Sequence, residues 1–250
     1  MALSFSQTAA LEQYLKPGMR VASLGYPDLI APFAMFERML DDKVHALGYR
    51  ADSAAICKRH GLQDIAIPDA ESFFKLMGCE LDVYDIVQER GCEILCDLNN
   101  EWEHVTWMEY DIVLDVGTVE HCFAISNAIK NMAQLVKQGG IIIHENPFNN
   151  PNHGFFNLNP TFFADFYEAN GFELLECKLV SRDGRETIVP RTQRFRFNGG
   201  EMNVFAMARR TRIQSFVMPT QSKYAGLIPA AGVPGVPERE VANANSIKYG

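Results

Sequence analysis

Apolar and polar positions alternate in two rhythms along this chain. Short apolar runs bounded by turn signals predict strands at Arg20–Gly25, Cys79–Asp85, Cys92–Asp97, Tyr110–Val116 and Gly139–His144. Helical spacing separates most of them. Asp69 follows Pro68 as a natural N-cap for Ala70–Met77, which presents Phe73, Phe74 and Met77 to one side. Apolar residues recur at helical spacing over Ile125–Val136, and Gly139-Gly140 is read as the stop. Thr161–Tyr167 reads as another helix. Pro32–Leu40 and Asp52–His60 read as one or two helices inserted between the first two strands.

Gly171–Val180 and Met202–Ala208 are late strands with no clear helix between them, so they are expected to pair antiparallel. Strands alternating with helices predict crossover units. The fold class is therefore α/β: a doubly wound, mostly parallel seven-stranded sheet with an antiparallel late strand pair. Residues 1–212 form this domain, with a helical insertion around 29–68. From Ile213 the periodicity fades and Pro219, Pro229, Pro234 and Pro237 follow, so 213–250 is expected to be an extended or partly disordered tail.

Composition narrows the class. The 250 residues carry a formal net charge of −8, which argues against nucleic-acid binding because phosphate contact needs a basic face. No apolar run suits a membrane span, and the first residues lack signal-peptide features, so a cytoplasmic protein is expected. The six cysteines show no finger-like spacing and are expected to be reduced and mostly buried.

The predicted strand ends carry the chemistry. In an open parallel sheet, ligands sit beyond the carboxyl ends of the strands. The first strand ends at Gly25, the second at Asp85, the third at Asp97, and the fourth near Asp115, Gly117 and Thr118. Asp85 is placed to accept hydrogen bonds from ribose hydroxyls, and Asp97 from an exocyclic adenine amine.

This ordered set resembles the class I S-adenosylmethionine (SAM)-dependent methyltransferases. Phe73–Ile86 is similar to that family's helix, glycine and acidic second strand. Tyr110–His121 (YDIVLDVGTVEH) resembles its fourth-strand motif with the Glu-His that follows. Leu135–Ile143 is like its L-x-x-G-G entry to strand five, and Asn170–Leu174 its late G-F strand. The resemblance spans about Met19 to Arg210. It implies SAM as cofactor, with Asp85 on the ribose, Asp97 on the adenine side, and Gly117, Thr118 and His121 flanking the methionine portion. Gly25 would lie against the cofactor backbone.

The first loop departs from the family's acidic, glycine-rich E/D-x-G-x-G pattern. In Ser23–Asp28 (SLGYPD), Tyr26 adds bulk and Pro27 lacks an N–H donor, while Asp28 offers a carboxylate from a different position. Two readings follow. The first is SAM-dependent O- or N-methyl transfer to a small polar metabolite such as a sugar or nucleotide-sugar. The second is a non-catalytic methyltransferase-fold binding or assembly protein whose C-terminal tail contacts a partner, with a homo-oligomer formed through that tail as one form.

For the first reading, His144 and Glu145 follow the fifth strand directly. His153 stands in the Asn- and Phe-rich loop 146–157, whose amides suit polyol hydroxyls. His121, beside Glu120, reads as a base, a metal ligand with Glu120 or a wall of the cofactor pocket, with packing or orientation favoured, and no metal is expected because no cluster shows convincing ligand spacing. Arg182, Arg185, Arg191, Arg194 and Arg196 crowd the link between the late strands and read as a solvated hairpin or, as the alternative, a site for an anionic substrate group.

Overall fold

The computed structural model describes residues 2–102, 109–190 and 194–227. It has two units, Met1–Pro219 and Thr220–Gly250. In chain order the first unit holds β1 (Ala2–Leu3), α1 (Phe5–Tyr14), β2 (Arg20–Leu24), β3 (Asp28–Leu29), α2 (Phe33–Leu40), α3 (Ser53–His60), α4 (Ala70–Leu76), β4 (Glu80–Asp85) and β5 (Ile94–Leu95). It continues with β6 (Tyr110–Asp115), α5 (Ile125–Leu135), β7 (Val136–Pro147), α6 (Pro160–Ala169), β8 (Phe172–Ser181), β9 (Glu186–Ile188) and β10 (Met202–Arg210).

The main sheet runs β5-β4-β2-β6-β7-β10-β8-β9. β5, β4, β2, β6 and β7 are parallel, and β10 is antiparallel to both β7 and β8. This is a Rossmann-like α/β fold with an antiparallel late pair, as the sequence pattern predicts. Among the described residues the main sheet has eight strands rather than seven, because β9 folds back on β8 as a short hairpin.

Strand periodicity explains why helices cover both faces. Successive side chains point to opposite faces. Ala22, Leu24, Val113 and Ile142 join one core with Ile129 and Met132 of α5 and Phe163 and Tyr167 of α6. Val21, Ile112, Leu114, Ile141 and Ile143 join the other, with Leu11 of α1, Phe36 of α2 and Phe73 and Phe74 of α4. The Asp69 cap is present: its Oδ2 accepts from Ser72 N–H at 2.9 Å.

Two expectations need correcting in detail. Gly139-Gly140 does not stop a helix, because α5 already ends at Leu135 and the glycines lie inside β7. Val136 pairs with Tyr110 but Ile141 with Ile112, so the stretch between them bulges. Gly139 has φ +83°, and a Cβ on Gly140 would lie 2.6 Å from Val136 Cγ2 and 2.9 Å from the Asp111 carbonyl. The third strand shrinks to two residues, because Glu93 turns inward and accepts from Arg90 N–H at 3.1 Å.

All six cysteines are free. Cys57, Cys79 and Cys122 are buried, Cys96 and Cys177 half-buried, and Cys92 exposed, so burial holds for only part of the set.

The N-terminal segment is an addition to the pattern. β1 pairs parallel with β3, and Ser4 and Gln7 form a capping box on α1. Past α6, Val217 N–H donates to Asn170 Oδ1 at 2.8 Å, and Phe216 meets Phe166. In the second unit, Ser222–Leu227 is a 3₁₀ turn; Pro229, Pro234 and Pro237 lie outside the described residues. Among the described residues no helix is long and apolar enough to cross a membrane.

Candidate active site at the strand carboxyl ends

Strand order reverses between β2 and β6, since β4 flanks β2 on one side and β6 on the other. A ligand crevice is expected at that point. Gly25 (φ +81°) and Gly117 (φ +86°) stand there in the left-handed region that favours glycine. Thr118 Oγ1 donates to the Leu24 carbonyl at 2.5 Å and ties the two strand ends together.

Asp85 and Asp97 occupy the neighbouring strand ends, both half-buried. Cys96 N–H donates to the Asp85 carbonyl, so the two carboxylates stand either side of that link. Burial and the charges of Asp85 and Asp97 together push the Cys96 thiol up to about 11. Burial, Asp115, Asp97 and Glu120 likewise push Cys122 up to about 12. The carboxyl edge is thus an electronegative rim. Each rim carboxylate also serves its own turn: Asp85 accepts from Val87 N–H at 3.2 Å, and Asp97 from Asn99 N–H at 2.9 Å.

The first loop is closed on itself. Gly25 N–H is used by the Tyr84 carbonyl. The buried Tyr26 ring has the Arg90 and Arg50 guanidinium carbons at 4.1 and 5.1 Å from its centroid, and its hydroxyl donates to Asp69 at 2.7 Å. Asp28 is buried and faces Arg50 (3.4 Å), Arg59 (3.3 Å) and His60 (3.2 Å). Burial alone would raise its carboxyl pKa, but the His60 hydrogen bond and the nearby cationic charge outweigh it and hold it low. A cavity of about 410 Å³ opens beside Tyr26, lined by Tyr49, Arg50, Asp69 and Arg90 among others; Asp85, Asp97 and Gly117 are not in its wall.

β7 splits the candidates His144 and Glu145 between the two faces. His144 is fully buried, its Nδ1–H donating to Asp115 Oδ2 at 2.8 Å and its Nε2 accepting from the Tyr167 hydroxyl. Burial works to raise the Asp115 pKa, but hydrogen bonds from His144, Asn146 and Thr118 N–H keep it low. Burial carries Tyr167 well above its ordinary value, so it stays a hydroxyl. Glu145 accepts from Ser4 Oγ and from Asn203 Nδ2, and burial raises its pKa.

His153 stands apart from both. Its Nε2 lies 3.5 Å from Glu120 Oε1, which raises its pKa, and His121 Nε2 lies 4.0 Å from the same oxygen. Beside these half-exposed imidazoles, Phe123 and Phe155 meet edge-on at 5.4 Å and are 75% and 65% exposed.

Asn146, read from the sequence only as one amide of the loop 146–157, joins the network. Its Nδ2 reaches Asp115 Oδ2 at 2.8 Å and Glu120 Oε2 at 2.9 Å. Only its place straight after His144 and Glu145 hinted at this. Arg182, Arg185, Arg194 and Arg196 are exposed, and Arg185 pairs with Asp183; Arg191 lies outside the described residues.

No family profile matches the chain, and no curated protein matches it. Solved structures do resemble it. One is the Burkholderia thailandensis 1,6-didemethyltoxoflavin-N1-methyltransferase, solved with 1,6-didemethyltoxoflavin and S-adenosylhomocysteine. It is 15% identical, with 82% of this chain and 76% of that chain covered at a TM-score of 0.46. A SAM-dependent methyltransferase from Archaeoglobus fulgidus is 15% identical, covering 81% and 92% at a TM-score of 0.44. TehB from Haemophilus influenzae is 12% identical, covering 82% of this chain but only 62% of its own, at a TM-score of 0.39.

Proposed function

We propose that this chain is a SAM-dependent methyltransferase that methylates an oxygen or nitrogen of a small polar acceptor such as a sugar or nucleotide-sugar. The observation that carries this reading is the acidic rim beside the turning point of the strand order, where half-buried Asp85 ends β4 and half-buried Asp97 follows the neighbouring parallel strand β5. SAM is a nucleoside bearing a sulfonium cation, so ribose-binding carboxylates and a negative rim suit it. Asp85 would take the ribose hydroxyls and Asp97 the adenine amine. Gly25 and the segment Gly117, Thr118 and His121 would border the methionine half.

Bound there, SAM supplies a methyl group already activated for displacement. What remains for the chain is to hold the acceptor in line and accept its proton. His153 suits that task, being half-exposed, oriented by Glu120 and next to the Phe123–Phe155 pair. His144 and Glu145 would act behind it by fixing β7 and the loop that carries His153. Asp28 is committed to Arg50, Arg59 and His60, and its proposed task is to hold the first loop.

Calorimetry with S-adenosylhomocysteine tests the reading. Binding is expected, and Asp85→Ala should weaken it by about tenfold or more, as loss of charged hydrogen bonds predicts. No binding of SAM or S-adenosylhomocysteine at about 1 mM would end it. The closed contacts of Tyr26 and Asp28 favour a second reading, a binding or assembly protein without methyl transfer. That reading expects no cofactor binding, and a changed oligomeric state or partner recovery when residues 220–250 are deleted.

A further inference from the structure

We propose that Glu120, His121 and His153 form a binding site for one divalent transition-metal ion of the zinc or cobalt type. One donor atom from each lies within 4.8 Å of the other two. The Glu120 Oε1 distances are 3.5 Å to His153 Nε2 and 4.0 Å to His121 Nε2. Metal–donor bonds of about 2.0–2.2 Å in tetrahedral geometry put donors roughly 3.4 Å apart, so small rotations of two half-exposed rings close the set.

The Glu120 carboxylate leaves one oxygen short of a hydrogen bond. Its side chain is 1% exposed, Oε2 accepts from Asn146 Nδ2 at 2.9 Å, and Oε1 has no hydrogen-bond partner. A buried carboxylate oxygen that meets two imidazoles at 3.5 and 4.0 Å but accepts no hydrogen bond is well placed to bind a cation held between them. Asn146 in turn holds Asp115, so the ligand is oriented from behind as metal ligands generally are.

The backbone holds the two halves of the site together. Phe155 N–H donates to the Glu120 carbonyl at 2.9 Å. A Cβ on Gly154 would lie 2.9 Å from that carbonyl oxygen, so only glycine lets the His153 loop come so near.

Two imidazoles and one carboxylate suit late first-row ions better than magnesium or calcium, which prefer all-oxygen shells. Three protein ligands with both histidine side chains 49% exposed leave positions open to solvent or a ligand atom. The site rests on its own residues and does not need methyl transfer. If the chain does transfer methyl groups, an ion here would acidify an acceptor hydroxyl directly, and His153 would serve as a ligand instead of taking the proton.

The test is metal binding by the full chain, stripped with a chelator and without SAM. Calorimetry with zinc and the visible spectrum with cobalt should both give one equivalent. His121→Ala and His153→Ala, at half-exposed positions, should each weaken binding about tenfold or more. Absence of a bound equivalent at about 1 mM zinc or cobalt overturns the proposal. So does an affinity unchanged in the double histidine variant, a cobalt spectrum dominated by thiolate bands, or tighter binding of magnesium. S-adenosylhomocysteine binding in the presence of chelator separates failure here from failure of the methyltransferase reading.

Discussion

Asp28 and Glu120 are both carboxylates with side chains only 1% exposed, yet their surroundings differ. Asp28 meets Arg50 on one oxygen and Arg59 and His60 on the other. Glu120 meets one amide on Oε2 and leaves Oε1 without a hydrogen bond. The first is a finished structural contact that keeps the loop after β2 shut. The second is an unfinished one, on a surface where two imidazoles and two phenyl rings face solvent. A buried carboxylate with both oxygens firmly paired speaks of architecture, whereas one with an oxygen short of a hydrogen bond beside two exposed imidazoles suits a ligand.

The largest expected effect is on the finished contact. Asp28→Asn takes the buried negative charge from Arg50, Arg59 and His60, leaving Arg50 only the half-exposed Asp52 at 2.7 Å, and should cost about 3 kcal/mol in urea unfolding. Because Asp28's carboxyl pKa is lowered by folding, its contribution is complete above the ordinary carboxyl value of about 3.9 and is lost as pH falls through the lower folded value. The gap between wild type and variant should therefore narrow only in acid. A cost below about 1 kcal/mol near neutrality would break the comparison.

Gly154→Ala forces the loop off the Glu120 carbonyl and should cost about 2 kcal/mol by the same measurement, with weaker zinc binding. Tyr167→Phe leaves buried His144 Nε2 without its donor and should cost about 1–2 kcal/mol in thermal unfolding. Glu120→Gln should change stability least, by under about 1 kcal/mol in chelator, since it neutralises a charge with one oxygen unanswered. A loss as large as that of Asp28→Asn would mean that Glu120 too is a finished contact.

Much of the fold was legible because it rests on local signals. Parallel strands buried on both faces read as apolar runs, and Asp69 and Asn170-Gly171 mark element ends. α1 was not legible, because its buried residues include Ser6, Gln7 and Thr8 and so carry no apolar stripe. β1 and β3, two residues each, leave no periodicity to find.

The site was legible in part. Strand-end residues such as Asp85 and Asp97 follow from element order alone. The distance between His121 and His153 does not, since it depends on how a loop more than thirty positions away docks on the Glu120 carbonyl. Asp28 shows the converse: nothing local says that Arg50, Arg59 and His60 return to it from the insertion.

The N-terminal segment has a consequence for how the chain assembles. Ala2 N–H reaches the Val116 carbonyl, Ser4 reaches Glu145 and Gln7 Nε2 reaches the Asp115 carbonyl, contacts spanning 108 residues or more. These residues leave the ribosome well before their partners and cannot dock until β6 and β7 are in place. Loop-closure entropy makes such long-range contacts late ones. Until then α1 has its own capping box to sustain it, and its docking over the ends of β6 and β7 needs the parallel half of the sheet in place, before or after β8, β9 and β10 join it.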